Sequence, residues 1–161
     1  MFRTFLFKLL MPLFSVLLVA CSSGTQHKPA LTVYKSPTCG CCKAWIRHLE
    51  EAGFENTVHN MTSLSELKAD KGITPEYQSC HTAVSGDGYV FEGHVPARYI
   101  EQFLTNPPQD ALGLAVPGMP VGSPGMEMGD RFSPYQVLLL KRDGSTQVFA
   151  DISEPGNDAD E

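Results

Sequence analysis

Hydrophobic and polar positions follow two periods in the first half of the chain, and these predict strands and helices in turn. Leu31-Thr32-Val33-Tyr34 is a short β-rich run that predicts a first strand. A helix is predicted next, because apolar residues recur at helical spacing, charged residues fill the other face, and Gly53 supplies a stop. The apolar positions are Cys42, Trp45, Ile46, Leu49 and Ala52. Residues 54–61 predict a second strand, and the capping-box pattern of residues 63–66 opens a second helix that ends near Gly72.

The second half of the chain predicts two β-hairpins. Residues 82–84 and 89–91 flank a Ser-Gly-Asp-Gly turn, and residues 137–140 and 147–150 flank an Arg-Asp-Gly turn. Either hairpin can complete the core sheet, since Pro134-Tyr135-Gln136-Val137 is similar to the proline-led third strand of a thioredoxin. In that case residues 80–105 would be an insertion. We favour the first hairpin as core, because a helix predicted from Pro96 to about Leu104 follows it and completes the fold.

The order of elements predicts an α/β fold, namely a thioredoxin-like mixed sheet with flanking helices. A loop rich in glycine, proline and methionine at residues 107–134 and the C-terminal β-hairpin are added to it. The length of 161 residues suits one domain rather than two. We place this domain at residues 30–153 and expect an acidic disordered tail at residues 154–161.

The first residues predict a lipoprotein signal peptide. Arg3 and Lys8 precede an apolar run that is too short to span a bilayer, and residues 1–20 are therefore expected to be cleaved. Leu18-Val19-Ala20-Cys21 resembles the lipobox, which predicts lipidation of Cys21 and a tether at residues 21–29. Serine rather than aspartate follows the cysteine, and this resembles the sorting pattern for the outer membrane. The predicted location is therefore the periplasm, on an outer-membrane anchor.

Charge narrows the classes of partner. The chain has 12 basic and 18 acidic side chains, and cleavage after residue 20 would remove Arg3 and Lys8, leaving ten basic residues and a net charge of about −8. Nucleic acids and anionic membrane surfaces reward clustered lysine and arginine. We therefore expect no nucleic-acid partner, and membrane contact through the lipid anchor only.

Cys39-Gly40-Cys41-Cys42 carries the chemistry of the predicted strand-to-helix turn. Cys39 and Cys42 form a C-x-x-C pair, which is typical of redox or metal sites because a helix N-terminus stabilises thiolate. The adjacent Cys41 favours metal, since a third sulfur invites scrambled pairing in a disulfide enzyme. Three cysteines in one tight turn fit a single tetrahedral zinc ion poorly, whereas soft thiolates that diverge can bridge several Cu(I) ions. An iron–sulfur cluster and two structural disulfides remain alternatives.

Further candidate ligands lie downstream. Cys80 precedes the third strand, where it could close the site, be a small buried residue or pair in a disulfide. Met119 and Met126 sit among turn residues, which favours thioether ligands that cap Cu(I) over gap-filling side chains beneath a lid. His81 and His94 are candidates as ligands or as structural hydrogen-bonding groups. Side-chain alternation along a strand predicts that His81 points away from Cys80.

Several motifs together resemble one family. They are Cys39-Gly-Cys-Cys42, Ser79-Cys80-His81-Thr82-Ala83, Glu92-Gly93-His94-Val95-Pro96, Val116-Pro117-Gly118-Met119-Pro120 and Gly122-Ser123-Pro124-Gly125-Met126-Glu127. The chain is similar, from about Leu31 to Ala150, to the CopG-type copper-resistance proteins, long described as a domain of unknown function. This resemblance implies a thioredoxin-like fold, copper bound by the cysteines and Cu(I)/Cu(II) redox handling.

The expected function is periplasmic copper binding for copper resistance, with several Cu(I) ions per chain in a cysteine-thiolate cluster. Copper-efflux or copper-oxidase proteins are the expected partners. Whether copper oxidoreduction accompanies binding stays open. Two alternatives are a thiol-disulfide oxidoreductase that uses Cys39 and Cys42, and a copper chaperone that delivers ions to a pump or oxidase.

Overall fold

A seven-stranded mixed sheet carries the described part of the chain, residues 28–155 of a computed structural model. The strands are β1 (Leu31–Lys35), β2 (Asn56–Asn60), β3 (His81–Ser85), β4 (Val90–Gly93), β5 (Ala111–Val116), β6 (Tyr135–Lys141) and β7 (Thr146–Ile152). The helices are α1 (Gly40–Glu51), α2 (Ser65–Asp70) and α3 (Ala97–Thr105), with one 3₁₀ turn at Pro75–Tyr77. The expected α/β fold with a mixed sheet is confirmed, and its likeness to thioredoxin stays a prediction.

Both predicted hairpins belong to this one sheet, whose strand order is β2-β1-β3-β4-β5-β6-β7. The first hairpin, β3–β4, lies directly beside β1, as favoured from the sequence, and α3 follows it. The second hairpin, β6–β7, extends the sheet beyond β5. The pairs β1–β2 and β4–β5 are parallel and the other neighbours are antiparallel. The second hairpin is therefore an extension of the sheet and does not replace the first one.

The core packs α1 and α3 with the apolar side chains of the sheet. Trp45 is fully buried, and its indole N–H donates to the carbonyl oxygen of Val95 at 2.8 Å. Ile100 and Phe103 of α3 belong to the same buried cluster. Aromatic residues bury large apolar areas, and a buried indole N–H needs an acceptor. The Trp45 hydrogen bond thus fixes α1 against the segment that leads from His94 to α3.

The expectation of a continuous loop at residues 107–134 is wrong at its start, where β5 lies. This strand has five buried positions out of six and joins β4 to β6, so it lacks the alternation that marks a half-exposed strand. Gly113 is required because a Cβ there would lie 1.8 Å from the carbonyl oxygen of Val90 on β4. The irregular segment, here called the methionine loop, runs over residues 117–134.

The beginning of α2 also differs from expectation. The capping box at residues 63–66 is not formed: Leu64 occupies the N-cap position of α2 without a side-chain hydrogen bond. The Ser63 hydroxyl instead accepts from the backbone N–H of Ser65 at 3.4 Å, which closes a local turn. Helix α1 begins at Gly40, so Cys41 and Cys42 lie in its first turn.

The N-terminal segment meets the domain near the C-terminal end of α1. Lys28 forms an ion pair with Glu101 of α3 at 2.6 Å, and its ammonium group lies 5.3 Å from the ring centroid of Phe54. The predicted signal peptide, lipidated Cys21, most of the tether and the end of the acidic tail lie outside the described residues. Within residues 28–155, every helix is too short or too polar to traverse a bilayer.

Candidate metal centre

The cysteine turn caps helix α1. Cys39 adopts an extended backbone conformation at the N-cap position, and its Sγ accepts from the backbone N–H of Cys42 at 3.2 Å. The first N–H groups of a helix have no intrahelical acceptor and attract electron-rich partners. The turn thus places three sulfurs at the positive end of the α1 dipole, where thiolate is favoured.

Cys80 joins the three turn cysteines to form a ring of four sulfurs. Its Sγ lies 3.5 Å from Sγ of Cys42 and 3.8 Å from Sγ of Cys41, and Sγ of Cys41 lies 3.5 Å from that of Cys39. Cys39 and Cys42 close the ring as a disulfide. The segment before β3 reaches the turn because β3 pairs antiparallel with β1, with Lys35 opposite His81. The structure therefore brings together all four cysteines that the sequence proposed as ligands.

The disulfide leaves two free thiols, Cys41 and Cys80, among the described residues. The second disulfide that four cysteines would allow is not formed, although the free sulfurs are neighbours. Metals bind thiolate and not disulfide sulfur. All four sulfurs therefore become donors only after two electrons and two protons have converted the Cys39–Cys42 bond into two thiols.

His94 faces the sulfur ring with a defined ring nitrogen. Its Nδ1 donates to the carbonyl oxygen of Pro124 at 2.8 Å, and its Nε2 lies 3.2 Å from Sγ of Cys80. A proton held on Nδ1 leaves the lone pair of Nε2 directed at the site, as in metal-ligating histidines. Burial lowers the pKa of His94 below its ordinary value, and the Pro124 carbonyl opposes this shift. The imidazole ring of His94 is therefore neutral near pH 7, and its Nε2 can offer a lone pair to a metal ion.

His81 lies beside His94 and also faces Cys80. The expectation that strand alternation turns it away from Cys80 is therefore wrong. Its Nδ1 is 3.2 Å from Sγ of Cys80, and its ring packs 4.3 Å from Trp45 and 4.9 Å from His94, centroid to centroid. Alternation holds only within a strand, and β3 begins at His81, so Cys80 precedes it in irregular backbone. Burial, and then the neighbouring His94, lower the pKa of His81 well below its ordinary value. Its Nε2 is buried without a hydrogen-bond partner among the described residues.

Burial and the neighbouring Cys41 raise the pKa of Cys80 to about 12. The metal-free thiol is therefore protonated at neutral pH. A metal that binds this sulfur must displace its proton, which couples metal affinity to pH.

The methionine loop lies against the site at two places. At its start, Gly118 donates its N–H to the carbonyl oxygen of Gln78 at 3.3 Å and accepts from the Ser79 hydroxyl. Further on, Gly125 lies so close to α1 that a Cβ would be 2.7 Å from the carbonyl oxygen of Cys41. Only glycine fits there, both for space and for its φ of +84°.

The two methionines proposed as ligands follow these contacts directly in sequence. Met119 is 53% exposed, and Met126 is partly buried. Binding of copper by their sulfurs stays a prediction.

A buried ion pair that was not predicted from the sequence lies beside the site, between Lys68 of α2 and Glu92 of β4. The signal was present, because Glu92 lies between Phe91 and Gly93 in a run that otherwise suits a buried strand. Charged residues are almost never fully buried unless they are paired. A glutamate at such a position therefore predicts a partner or a function.

Comparison with known proteins identifies the family. A family model described as a protein of unknown function, DUF411, matches residues 77–126. A solved structure of a copper resistance protein CopG, form 2, has 47% sequence identity to this chain and a TM-score of 0.74, and the match covers 78% of this chain and 98% of that one. Form 1 has 48% identity and a TM-score of 0.73, with coverage of 80% and 100%.

The chain belongs to the CopG copper-resistance family. The matched family region contains Cys80, both site histidines, Met119 and Met126, whereas the cysteine turn lies before it. Among curated protein sequences, none matches this chain significantly. Membership and the gathered cysteines together support a copper-related function.

Proposed function

We propose that this protein binds copper in the bacterial periplasm and confers copper resistance, holding several Cu(I) ions in a cysteine-thiolate cluster. The observation that carries the proposal is the gathering of four cysteine sulfurs within 4.8 Å of one another. Thiolates are soft ligands that select Cu(I), and so are the thioethers of the methionine loop. The copper resistance proteins named above have the same fold at nearly half identity.

The number of donors favours more than one ion. One group consists of the four cysteines, and a second consists of Cys80, His81 and His94. Cys80 belongs to both groups. One zinc ion in a structural site is complete with four ligands, whereas a sulfur that faces two donor groups is suited to bridge neighbouring copper ions.

Copper loading follows reduction in this proposal. A dithiol reductant transfers two electrons and two protons to the Cys39–Cys42 disulfide and becomes a disulfide itself, and Cu(I) ions then displace protons from the four thiols. Delivery of the bound ions to a copper-efflux or copper-oxidase protein is part of the same hypothesis.

The deciding experiment is anaerobic metal analysis of the reduced protein together with thiol counting. We expect several copper ions per chain in the parent and sharply lower loading in Cys41→Ser. Thr38→Ala, an exposed change in the same turn without loss of a sulfur, is the control and should load like the parent. About one copper or none in the parent, or unchanged loading in Cys41→Ser, would contradict the cluster.

The Cys39–Cys42 disulfide favours a second candidate, a thiol-disulfide oxidoreductase. Such an enzyme needs two sulfurs, so Cys41→Ser should retain its disulfide exchange with a dithiol substrate. Exchange at parental rates together with negligible copper binding by the parent would favour this candidate over copper binding.

A further inference from the structure

The buried ion pair between α2 and β4 is the starting point. Glu92 is 0% exposed and Lys68 is 4% exposed, and Nζ of Lys68 contacts Oε1 of Glu92. Lys68 also donates to the Thr82 hydroxyl at 3.1 Å, and this hydroxyl donates to Oε2 of Glu92 at 2.6 Å. Both charges are therefore compensated inside the protein.

Stability alone does not explain a pair of this kind. The cost of removing two charges from water often exceeds their attraction, and apolar residues of similar volume are commonly as stable or more stable. A role that such a pair can have instead is to hold one particular arrangement of the chain. The third hydrogen bond of the carboxylate shows which arrangement it holds.

Glu92 accepts from the backbone N–H of Ser79, with 2.6 Å between N and Oε1. Ser79 lies between the 3₁₀ turn and β3, so the sheet supplies no ladder acceptor for this N–H. Gly93, the next residue on β4, packs directly against the Ser79 side chain: a Cβ on Gly93 would lie 2.6 Å from Cβ of Ser79. The peptide that precedes Cys80 is thus fixed from β4.

Ser79 passes this constraint to the methionine loop. Its hydroxyl donates to the carbonyl oxygen of Gly118, the residue before Met119. The Glu92 carboxylate therefore holds Ser79, which precedes Cys80 in the sequence and contacts the start of the methionine loop.

We propose that Glu92, charge-balanced by Lys68, is a positioning residue of the copper site. It holds Ser79 so that Cys80 lies within reach of the turn cysteines and of the two histidines. The consequence for copper rests on the proposed function, whereas the placement of Cys80 belongs to the metal-free protein.

Two double variants of the full chain separate positioning from charge. Lys68→Met with Glu92→Leu removes the pair as a whole and leaves the Ser79 N–H without an acceptor. Lys68→Met with Glu92→Gln also removes both charges, but the amide oxygen can still accept from Ser79. His48→Ala, which deletes the acceptor of the Ala97 N–H at 3.0 Å, is a control for loss of stability elsewhere.

Copper retention is the first readout, measured as transfer of Cu(I) from the loaded protein to a competing chelator. We expect the Leu variant to lose copper about tenfold more readily and to show altered copper–thiolate absorption. The Gln variant and His48→Ala should match the parent in both. Similar behaviour of the Leu and Gln variants, whether parental or impaired, would overturn the inference.

Disulfide exchange is the second readout and needs no metal. In a chain that also carries Cys21→Ser, Cys39→Ser and Cys41→Ser, only Cys42 and Cys80 keep thiols, and these lie 3.5 Å apart. One oxidised glutathione accepts two electrons from the two thiols, yielding the Cys42–Cys80 disulfide and two reduced glutathiones.

The equilibrium constant of this exchange reports how well Cys80 is placed. It should fall about tenfold in the Leu variant and recover in the Gln variant. An unchanged constant in the Leu variant overturns the inference. Absence of copper from every protein, with the exchange behaving as expected, would refute the proposed function and leave the positioning role standing.

Discussion

Cys80 is the residue on which the two groups of donors depend. Its sulfur lies 3.5 Å from that of Cys42 and 3.2 Å from a nitrogen of each histidine. Burial and the nearby Cys41 raise its pKa to about 12, so the thiol carries its proton throughout the neutral range.

We expect Cu(I) loading of the reduced protein to release protons, with Cys80 contributing about one of them. Apparent affinity should therefore rise with pH between 6 and 9, because protons compete less well with copper. Titration of the protons released per chain should give about one fewer for Cys80→Ser than for the parent. Equal release by both proteins would show that the Cys80 sulfur does not become a thiolate.

The two buried histidines predict a loss of stability in mild acid. Burial lowers the pKa values of His81 and His94 below 6.5, the ordinary value that the unfolded chain regains. Below about pH 6.5 the unfolded chain therefore binds protons that the folded chain refuses, and the free energy of unfolding falls as pH drops.

Melting temperatures of the metal-free protein between pH 5 and 8 test this expectation. The parent should lose stability below about pH 6.5, whereas a variant carrying His81→Gln and His94→Gln should have a flatter profile. His59→Gln, a change of an exposed histidine, should keep the slope of the parent. A parental slope in the double variant would place the acid sensitivity elsewhere.

Residue-level prediction succeeded where spacing alone sets geometry. Cys39, Cys41 and Cys42 lie in one turn, and a predicted strand followed by a helix was enough to place them together. The orientation of His81 could not be predicted from strand alternation, because the strand begins at that residue. The pairing of Lys68 with Glu92 joins residues 24 positions apart, and no local pattern connects them.

At the scale of elements, β5 and the methionine loop were predicted as one segment. The loop is rich in glycine and proline, and β5 lacks the alternation of a half-exposed strand, so no boundary was visible between them. The structure separates a buried central strand from a loop held against the site at Gly118 and Gly125. The order of strands around β1 was predictable, since sequential elements usually neighbour one another. The pairing of β5 with β4 was not predicted, because β5 lacks the alternation that marks a half-exposed strand and was assigned to the loop.

The methionine loop yields a prediction at this scale. Replacing Met119 and Met126 with Leu keeps volume and apolarity, so the fold should persist. Loss of two thioethers should weaken Cu(I) retention against a chelator about tenfold, which corresponds to about 1.4 kcal/mol. A lower melting temperature with unchanged Cu(I) affinity would instead make these methionines packing residues.

For the whole molecule, the direction in which the chain enters the domain bears on its proposed anchor. Lys28 contacts Glu101 and Phe54 beside the C-terminal end of α1, while the cysteines lie at its N-terminal end. A helix of 12 residues is about 18 Å long. A lipid anchor that precedes Lys28 would therefore join the domain at the end of α1 opposite the sulfur ring.

We expect Cys21→Ala to move the protein from the membrane to the soluble periplasmic fraction, because diacyl attachment is its only proposed anchor. Fractionation and immunoblotting of parent and variant measure this change. The variant Cys80→Ser, which also removes one sulfur, should remain with the membrane. Membrane association of Cys21→Ala would indicate that the leader is retained.

Reduction of the Cys39–Cys42 disulfide and copper binding are thermodynamically coupled in this proposal. The same two sulfurs can share a bond or bind copper, so oxidation of Cys39 and Cys42 excludes copper from these two ligands. Linkage is reciprocal: copper that binds only the reduced form makes that form easier to reach. If copper binding favours the reduced form tenfold, the apparent midpoint potential of the two-electron disulfide–dithiol couple rises by about 30 mV. The copper content of this protein would then report the redox balance of its surroundings as well as their copper concentration.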